Sequence, residues 1–220
     1  RVSNRWIWYT LSCKYMPYCS SALDGSYYKI NERKNKKTDH SIGKLIMKER
    51  TITYLTDANL ITCVIQKDLA EPVLEAAKNA VNSLVEKTSG KNNVGVVLFE
   101  TGASTISYLT PVKEKTLNSI SLIQQGSGAT AIGDGLSLGV DMVSAILDKK
   151  RTIVLLSDGI QNSGLVSIEQ ATQYAIINNV QVHTIGIGSE KPVYIRDDIY
   201  GEPQHAELDE DALKNISNST

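Results

Sequence analysis

The chain has 220 residues, of which 41% are hydrophobic and 21% charged, enough for one full-sized domain with an appendage. Its formal net charge of −1 argues against a generally basic nucleic-acid binder, so we expect no nucleic-acid partner. No segment approaches the roughly 18 to 20 uninterrupted apolar residues of a membrane-spanning helix, and the first residues lack the layout of a signal peptide, so we expect a soluble chain.

Charge and aromatic residues are unevenly distributed along the chain. Residues 1–50 carry a net charge of +7, whereas residues 51–220 carry −8. Both tryptophans and six of the ten tyrosines lie within residues 1–54, without a helical or strand period. We therefore predict that residues 1–57 are a basic, aromatic-containing extension, poorly ordered or non-native, and that residues 58–220 form the domain. A nucleic-acid or anionic-lipid arm is the alternative interpretation of the extension.

From residue 58 onward, regular hydrophobic patterns predict alternating strands and helices. The apolar run at 59–65 predicts a first strand, and helical spacing over 73–85 predicts an amphipathic helix. Runs at 94–99 and 105–110 predict two further strands, and the short turn between them implies an antiparallel hairpin. Later patterns predict helices at 113–123, 132–147 and 168–178, strands at 152–156 and 180–187, a hairpin near 194–204, and a final helix capped by Asp209.

This order of elements predicts an α/β fold with a Rossmann-like, doubly wound and mostly parallel sheet. One antiparallel edge hairpin strand and helices on both faces complete the predicted architecture. Ligands bind such sheets beyond the carboxyl ends of the strands, where four oxygen-bearing side chains are expected: Thr130, Asp134, Ser157 and Asp158. Hydroxyl and carboxylate oxygens suit Mg²⁺, Mn²⁺ or Ca²⁺ better than zinc.

Two enzymatic interpretations were tested on the sequence. Nucleophilic catalysis has no support, because there is no G-x-S-x-G elbow and Cys63 lies inside an apolar strand, so we predict no catalytic residue. Residues 126–131 match the G-x-G-x-x-G/A dinucleotide fingerprint, but a predicted helix precedes them where the fingerprint needs a strand. A nucleotide-binding Rossmann-type enzyme remains the alternative hypothesis.

The ordered motifs resemble a von Willebrand factor A domain, most closely the type in membrane-associated proteins of bacteria and archaea, including the aerotolerance group. TAIGDGL with VLLSDG is the most specific pair of motifs, and about 150 residues agree in order and spacing. The resemblance rests on the segments at 74–87, 94–103, 126–143, 151–164, 180–189 and 206–217.

The resemblance implies protein recognition without turnover, at a metal-ion-dependent adhesion site built from three loops. In that family Mg²⁺ or Mn²⁺ keeps an open position for a partner's Asp or Glu carboxylate. Membrane or cell-envelope association is also implied, through flanking segments that this sequence does not contain. A further hypothesis is that this chain is a fragment of a scaffold protein that acts without a metal in a larger membrane-attached complex.

Carried over by motif, Thr130 matches the threonine of the second loop, and Asp158 matches the family's aspartate in the SDG motif at the end of the strand. The first loop of the family, D-x-S-x-S, should begin at Gln66. If the sequence is aligned to this motif without a gap, Gln66 occupies the aspartate position, and Asp68 and Ala70 occupy the two serine positions. Alternatively the whole loop is deleted.

These departures make the metal site weakened or lost, because Mg²⁺ binds poorly when protein ligands are missing. Asp68 could partly replace them if the link after the first strand bends toward the rim, which gives Thr130, Asp158 and Asp68 as candidate ligands. Lys67 would place an opposing positive charge nearby. Without a metal, Thr130 would cap the helix that follows it, and Asp158 would form a turn.

Overall fold

The computed structural model describes residues 27–30, 60–146, 149–187, 193–197, 203–206 and 208–220. Eight strands and five helices lie within these ranges. The strands are β1 (Tyr27–Ile30), β2 (Leu60–Gln66), β3 (Asn93–Phe99), β4 (Ala103–Thr110), β5 (Arg151–Ser157), β6 (Val180–Ile187), β7 (Val193–Asp197) and β8 (Pro203–Ala206). The helices are α1 (Glu71–Lys87), α2 (Lys113–Ser121), α3 (Ile132–Ser144), α4 (Ile168–Ile177) and α5 (Glu210–Ser219).

Six of the strands form one sheet in the order β1-β6-β5-β2-β3-β4. All neighbours in it are parallel except β3 and β4, which pair antiparallel at one edge. Strands β7 and β8 form a separate antiparallel hairpin, as the sequence predicted. The predicted fold class, a mostly parallel α/β sheet with one antiparallel edge strand, is therefore confirmed.

The central strands are buried on both faces, and successive residues supply two different cores. In β2, Ile61, Cys63 and Ile65 join the core under α1 and α2, whereas Leu60 and Val64 join the core under α3, α4 and α5. Strand side chains alternate between the faces of a sheet, so an uninterrupted apolar run can fill both layers. Helices consequently cover both faces, as predicted.

One strand was not predicted. The sequence analysis found no strand within residues 1–57, yet Tyr27–Ile30 forms β1 and pairs in parallel with the edge of β6. Four residues are too few to show an alternating period, which is why the pattern gave no signal. The rest of residues 1–57 lies outside the described residues, so the prediction for that extension and for the boundary at residue 58 stays a prediction.

The parallel register brings the carboxyl ends of three strands to one rim of the sheet. Gln66 pairs with Phe99, and Ile65 pairs with Leu156, so β2, β3 and β5 end at the same level. The loops that follow these strands therefore meet at this rim. Among the described residues we find no helix long and apolar enough to span a bilayer.

Candidate functional site

Three chain segments converge at the carboxyl rim: the link after β2, the loop before α3, and the loop after β5. The link begins where the Lys67 amide donates to the Phe99 carbonyl over 2.9 Å, and buried Leu69 anchors it in the core. Asp68, between them, turns toward the rim, and the Thr130 hydroxyl donates to its Oδ2 over 2.6 Å. The link therefore bends toward the rim, which is the condition under which Asp68 was expected to lie beside Thr130.

Gln66 lies at the centre of the site, with only 1% of its surface exposed. Its Nε2 donates to Asp158 Oδ2 over 3.1 Å and faces Asp68 Oδ2 at 3.4 Å and Thr130 Oγ1 at 3.5 Å. The three predicted ligand residues thus surround a side-chain amide nitrogen.

The orientation of the Gln66 amide is fixed by two donors on β5 and the turn after it. Gln66 Oε1 accepts from the Ser157 hydroxyl over 2.8 Å and from the Asp158 backbone amide over 2.9 Å. A backbone N–H can only donate, so the oxygen end must face it and the nitrogen end must face the carboxylates.

Asp158 combines a turn with a partly buried carboxylate. Its Oδ1 accepts from the Ile160 amide over 3.0 Å, so the predicted turn is formed. Burial raises the pKa of the Asp158 carboxyl to about 6, and the charge of Asp68 contributes in the same direction, while hydrogen bonds from Ile160 and Gln66 oppose the rise. This carboxyl is therefore an uncommonly weak acid.

Thr130 is held by its backbone, and its hydroxyl does not cap α3. The N-cap position of α3 is Ala131, with no side-chain cap, so the capping interpretation of Thr130 was wrong. The Thr130 amide donates to Asn162 Oδ1 over 2.7 Å, while the Thr130 carbonyl accepts from the amides of Asn162 and Ser163, both over 3.1 Å. These bonds leave the hydroxyl free to face Asp68.

Two charged residues near the rim have other partners. Asp134, expected among the rim donors, instead accepts from the Leu165 and Val166 amides through its Oδ1, over 3.0 and 2.9 Å, and so holds the loop after β5. Lys67, expected to oppose a cation, forms an ion pair with Glu100 over 3.0 Å. Its positive charge is thereby largely compensated.

The described residues do not fit a divalent cation as they are arranged. No group of three or more His, Cys, Asp and Glu side chains in the described ranges could hold a metal. The two carboxylates at the rim face a hydrogen-bond donor, and Ala70, at the second serine position, offers a methyl group. Asp68 Oδ1 is buried without a hydrogen-bond partner, but one free oxygen falls far short of the octahedral oxygen shell that Mg²⁺ requires.

The glycine-rich loop does not form a phosphate cradle. It follows α2 and irregular chain, not a strand, as the sequence predicted. A Cβ added at Gly126 would run into the carboxylate of Glu100, and one added at Gly128 would meet the Thr101 hydroxyl. An acidic side chain against the loop repels phosphate, which disfavours the nucleotide-binding hypothesis.

The remaining predicted and missed residues can be placed. Cys63 is fully buried, as predicted, and burial raises the pKa of its thiol to about 12, which disfavours the reactive thiolate. The sequence analysis missed Asn162, which holds Thr130, and it treated Gln66 only as a lost ligand. The polar run after SDG was the available signal for Asn162, since side chains in such turns often bind backbone groups.

Comparisons with known proteins agree with this geometry. Residues 64–161 match the model of the von Willebrand factor type A domain. An uncharacterized protein of Borreliella burgdorferi is 31% identical over 121 residues, which cover 54% of this chain and 35% of that protein. The match thus spans about a third of the length of this relative.

Solved structures show the same fold. An aerotolerance-related membrane protein from Bacteroides fragilis superposes with a TM-score of 0.65 at 21% identity, over 73% of this chain and 87% of that one. The manganese-loaded TRAP protein of Plasmodium vivax superposes with a TM-score of 0.57 at 14% identity. The superposition covers 74% of this chain and 63% of that chain. The family model spans β3, β5 and the loops that build the rim, and we conclude that residues 64–161 match the von Willebrand factor type A domain, in a chain that shares the fold of the aerotolerance-related membrane protein.

Proposed function

We propose that this domain is a protein-interaction module, not an enzyme, and that it recognises its partner at the carboxyl rim of the sheet. The convergence of three loops on Asp68, Thr130 and Asp158 supports this proposal, because the family binds partners at the corresponding rim. The site is held by hydrogen bonds between segments distant in sequence, so it is ordered before a partner arrives. Preorganisation lowers the entropic cost of binding.

The loop after β5 supplies an apolar contact beside this site. Leu165 is 97% exposed, although its backbone amide is fixed by Asp134 and the preceding residues are fixed by Thr130. An exposed apolar side chain on a backbone held by hydrogen bonds is suited to the core of a protein interface. The partner surface would therefore combine an apolar contact with polar groups facing Asp68 and Asp158.

Binding of Mg²⁺ or Mn²⁺ at Asp68, Thr130 and Asp158 is, in this proposal, weak at best. A cation would have to displace the buried Gln66 amide and break its bond to Asp158. In the family, a partner's Asp or Glu carboxylate binds to the cation. With little or no cation bound here, such a carboxylate would add little binding free energy. Recognition should consequently survive a chelator.

The domain is proposed to act beside a membrane or in the cell envelope, as part of a larger protein. The fold relative from Bacteroides fragilis is named as a membrane protein, and the curated relative is about three times as long as its matched region. Attachment would come from segments other than the described helices, none of which could span a bilayer.

Site-specific photocrosslinking in the native host tests this proposal. A photoreactive residue at Leu165 labels the rim, and one at exposed Lys91, before β3 at the opposite end of the sheet, is the control. We expect a defined protein adduct from position 165, retained in EDTA, and none from position 91. Equal adducts from both positions, or none from the rim, would contradict recognition there.

A further inference from the structure

We infer that the side-chain amide of Gln66 replaces the divalent cation at the centre of this rim, so that the three loops assemble without a metal. In the family a cation joins the loops by drawing their oxygen atoms together. Here a neutral hydrogen-bond donor built into β2 occupies the centre. The inference concerns how the rim is held, and it stands whether or not a partner binds there.

Gln66 Nε2 lies among oxygen atoms of all three loops. Three acceptor oxygens surround it, from Asp158 at 3.1 Å, Asp68 at 3.4 Å and Thr130 at 3.5 Å. Each acceptor comes from a different loop, and their positions in sequence differ from that of Gln66 by 92, 2 and 64. A single donor group therefore contacts all three loops, and its shortest contact is to the partly buried Asp158 carboxylate.

Gln66 Oε1 is anchored away from the centre of the rim. Two donors from the end of β5 hold it, at 2.8 and 2.9 Å, and Ser157 and Gln66 are both buried. The amide cannot turn its oxygen toward the centre without facing its nitrogen toward the Asp158 N–H, which would leave two donors opposed. The group at the centre is thus held as a donor, and it cannot act as an oxygen ligand.

The charges around Gln66 also fit a neutral donor at the centre. Asp68 and Asp158 place two carboxylates near one amide, and Lys67 is committed to Glu100 outside the cluster. The amide donates toward both carboxylates without adding a full positive charge. A third carboxylate, at position 66, would add like-charge repulsion at the centre. A bound cation would be needed to compensate for it.

The Gln66→Glu variant tests the inference, because it exchanges the central NH₂ for an oxygen of nearly equal size. At about pH 8, we expect the melting temperature of the wild type to be the same in EDTA and in Mn²⁺ or Mg²⁺. The variant should melt several degrees lower in EDTA and recover on adding Mn²⁺. If the added Mn²⁺ is about a hundredfold above its Kd, the recovery should be about 5–10 °C.

The matched control is Gln173→Glu, at an exposed position of α4, which should show no metal dependence. Gln66→Asp, which restores the shorter carboxylate of the family motif, is a second variant in case the glutamate form does not fold. Direct titration of Mn²⁺ into the wild type, followed by the spectrum of free Mn²⁺, should detect no binding in the micromolar range.

Two results would overturn the inference. One is micromolar Mn²⁺ binding by the wild type that is lost in Asp158→Asn, since the amide would then not exclude the cation. The other is metal-independent stability of both Gln66→Glu and Gln66→Asp, since position 66 would then not face a cation position. Neither readout involves a partner, so failure of the proposed protein recognition would be seen separately in the crosslinking experiment.

Discussion

The backbone amide of Asp209 donates to the carbonyl of Asp158 over 2.8 Å, which fastens the start of α5 to the rim. Gly159, next to this bond, has φ of +85° and lies directly against the Asp209 carbonyl. The turn after β5 and the beginning of the closing helix are therefore one structural unit. Substitutions in the turn after β5 or at the start of α5 should therefore alter the site.

Gly159→Ala should destabilise the protein by about 2 kcal/mol or more, because the new Cβ would meet the Asp209 backbone and the positive φ disfavours any side chain. Urea unfolding followed by circular dichroism measures the change. Gly102→Ala is the matched control, since nothing lies within 4 Å of a Cβ added there. Equal stability of the two variants would show that the turn relaxes freely.

Asp209→Ala should lower the free energy of unfolding by about 1 kcal/mol, the usual worth of an N-cap. The Asp209 carboxylate accepts from the Ala212 amide over 2.9 Å, and its loss leaves that donor unsatisfied at the first turn of α5. Asp211→Ala, in the same turn, tests the contribution of charge alone and should cost less. A larger loss at Asp211 would indicate that the helix dipole, and not the cap, stabilises α5.

Asp158→Asn should change how stability depends on pH. The folded pKa of Asp158, about 6, lies above the ordinary 3.8, so the folded protein keeps this proton where the unfolded chain has lost it. The contribution of Asp158 to the free energy of unfolding therefore falls by up to roughly 3 kcal/mol as the pH rises from 4 to 6. Above about pH 6 this contribution is constant. Unfolding at a series of pH values should show this slope in the wild type relative to Asp158→Asn. Parallel curves would mean that the carboxyl titrates normally.

His183→Gln should change the pH dependence in the opposite direction. Burial lowers the pKa of His183 in β6 to about 4, below its ordinary 6.5. As pH falls from 6.5 to 4, the unfolded chain takes up a proton that the folded protein does not, so this part of the stability is lost. The variant should lose less stability than the wild type over that interval. A steeper loss in the variant would exclude His183 as the group responsible.

Much of the fold could be predicted because its signals are local. The unbroken apolar run of β5 indicated a strand buried on both faces, and Asp209 was predicted as the cap that the structure shows. The positions of Thr130 and Asp158 at the rim followed from parallel topology, which brings all carboxyl ends to one side. Strand β1 escaped prediction because its pairing with β6 joins residues more than 150 positions apart.

The arrangement of the site depended on the tertiary structure. From the sequence alone it was open whether the link after β2 bends toward the rim, and the bond from Thr130 to Asp68 shows that it does. The sequence showed that Gln66 replaces a carboxylate, but the direction of its amide is set by Ser157 and Asp158, which lie 91 and 92 positions away. Residue identity determines which hydrogen bonds a side chain can make, whereas the fold decides which donors and acceptors reach it.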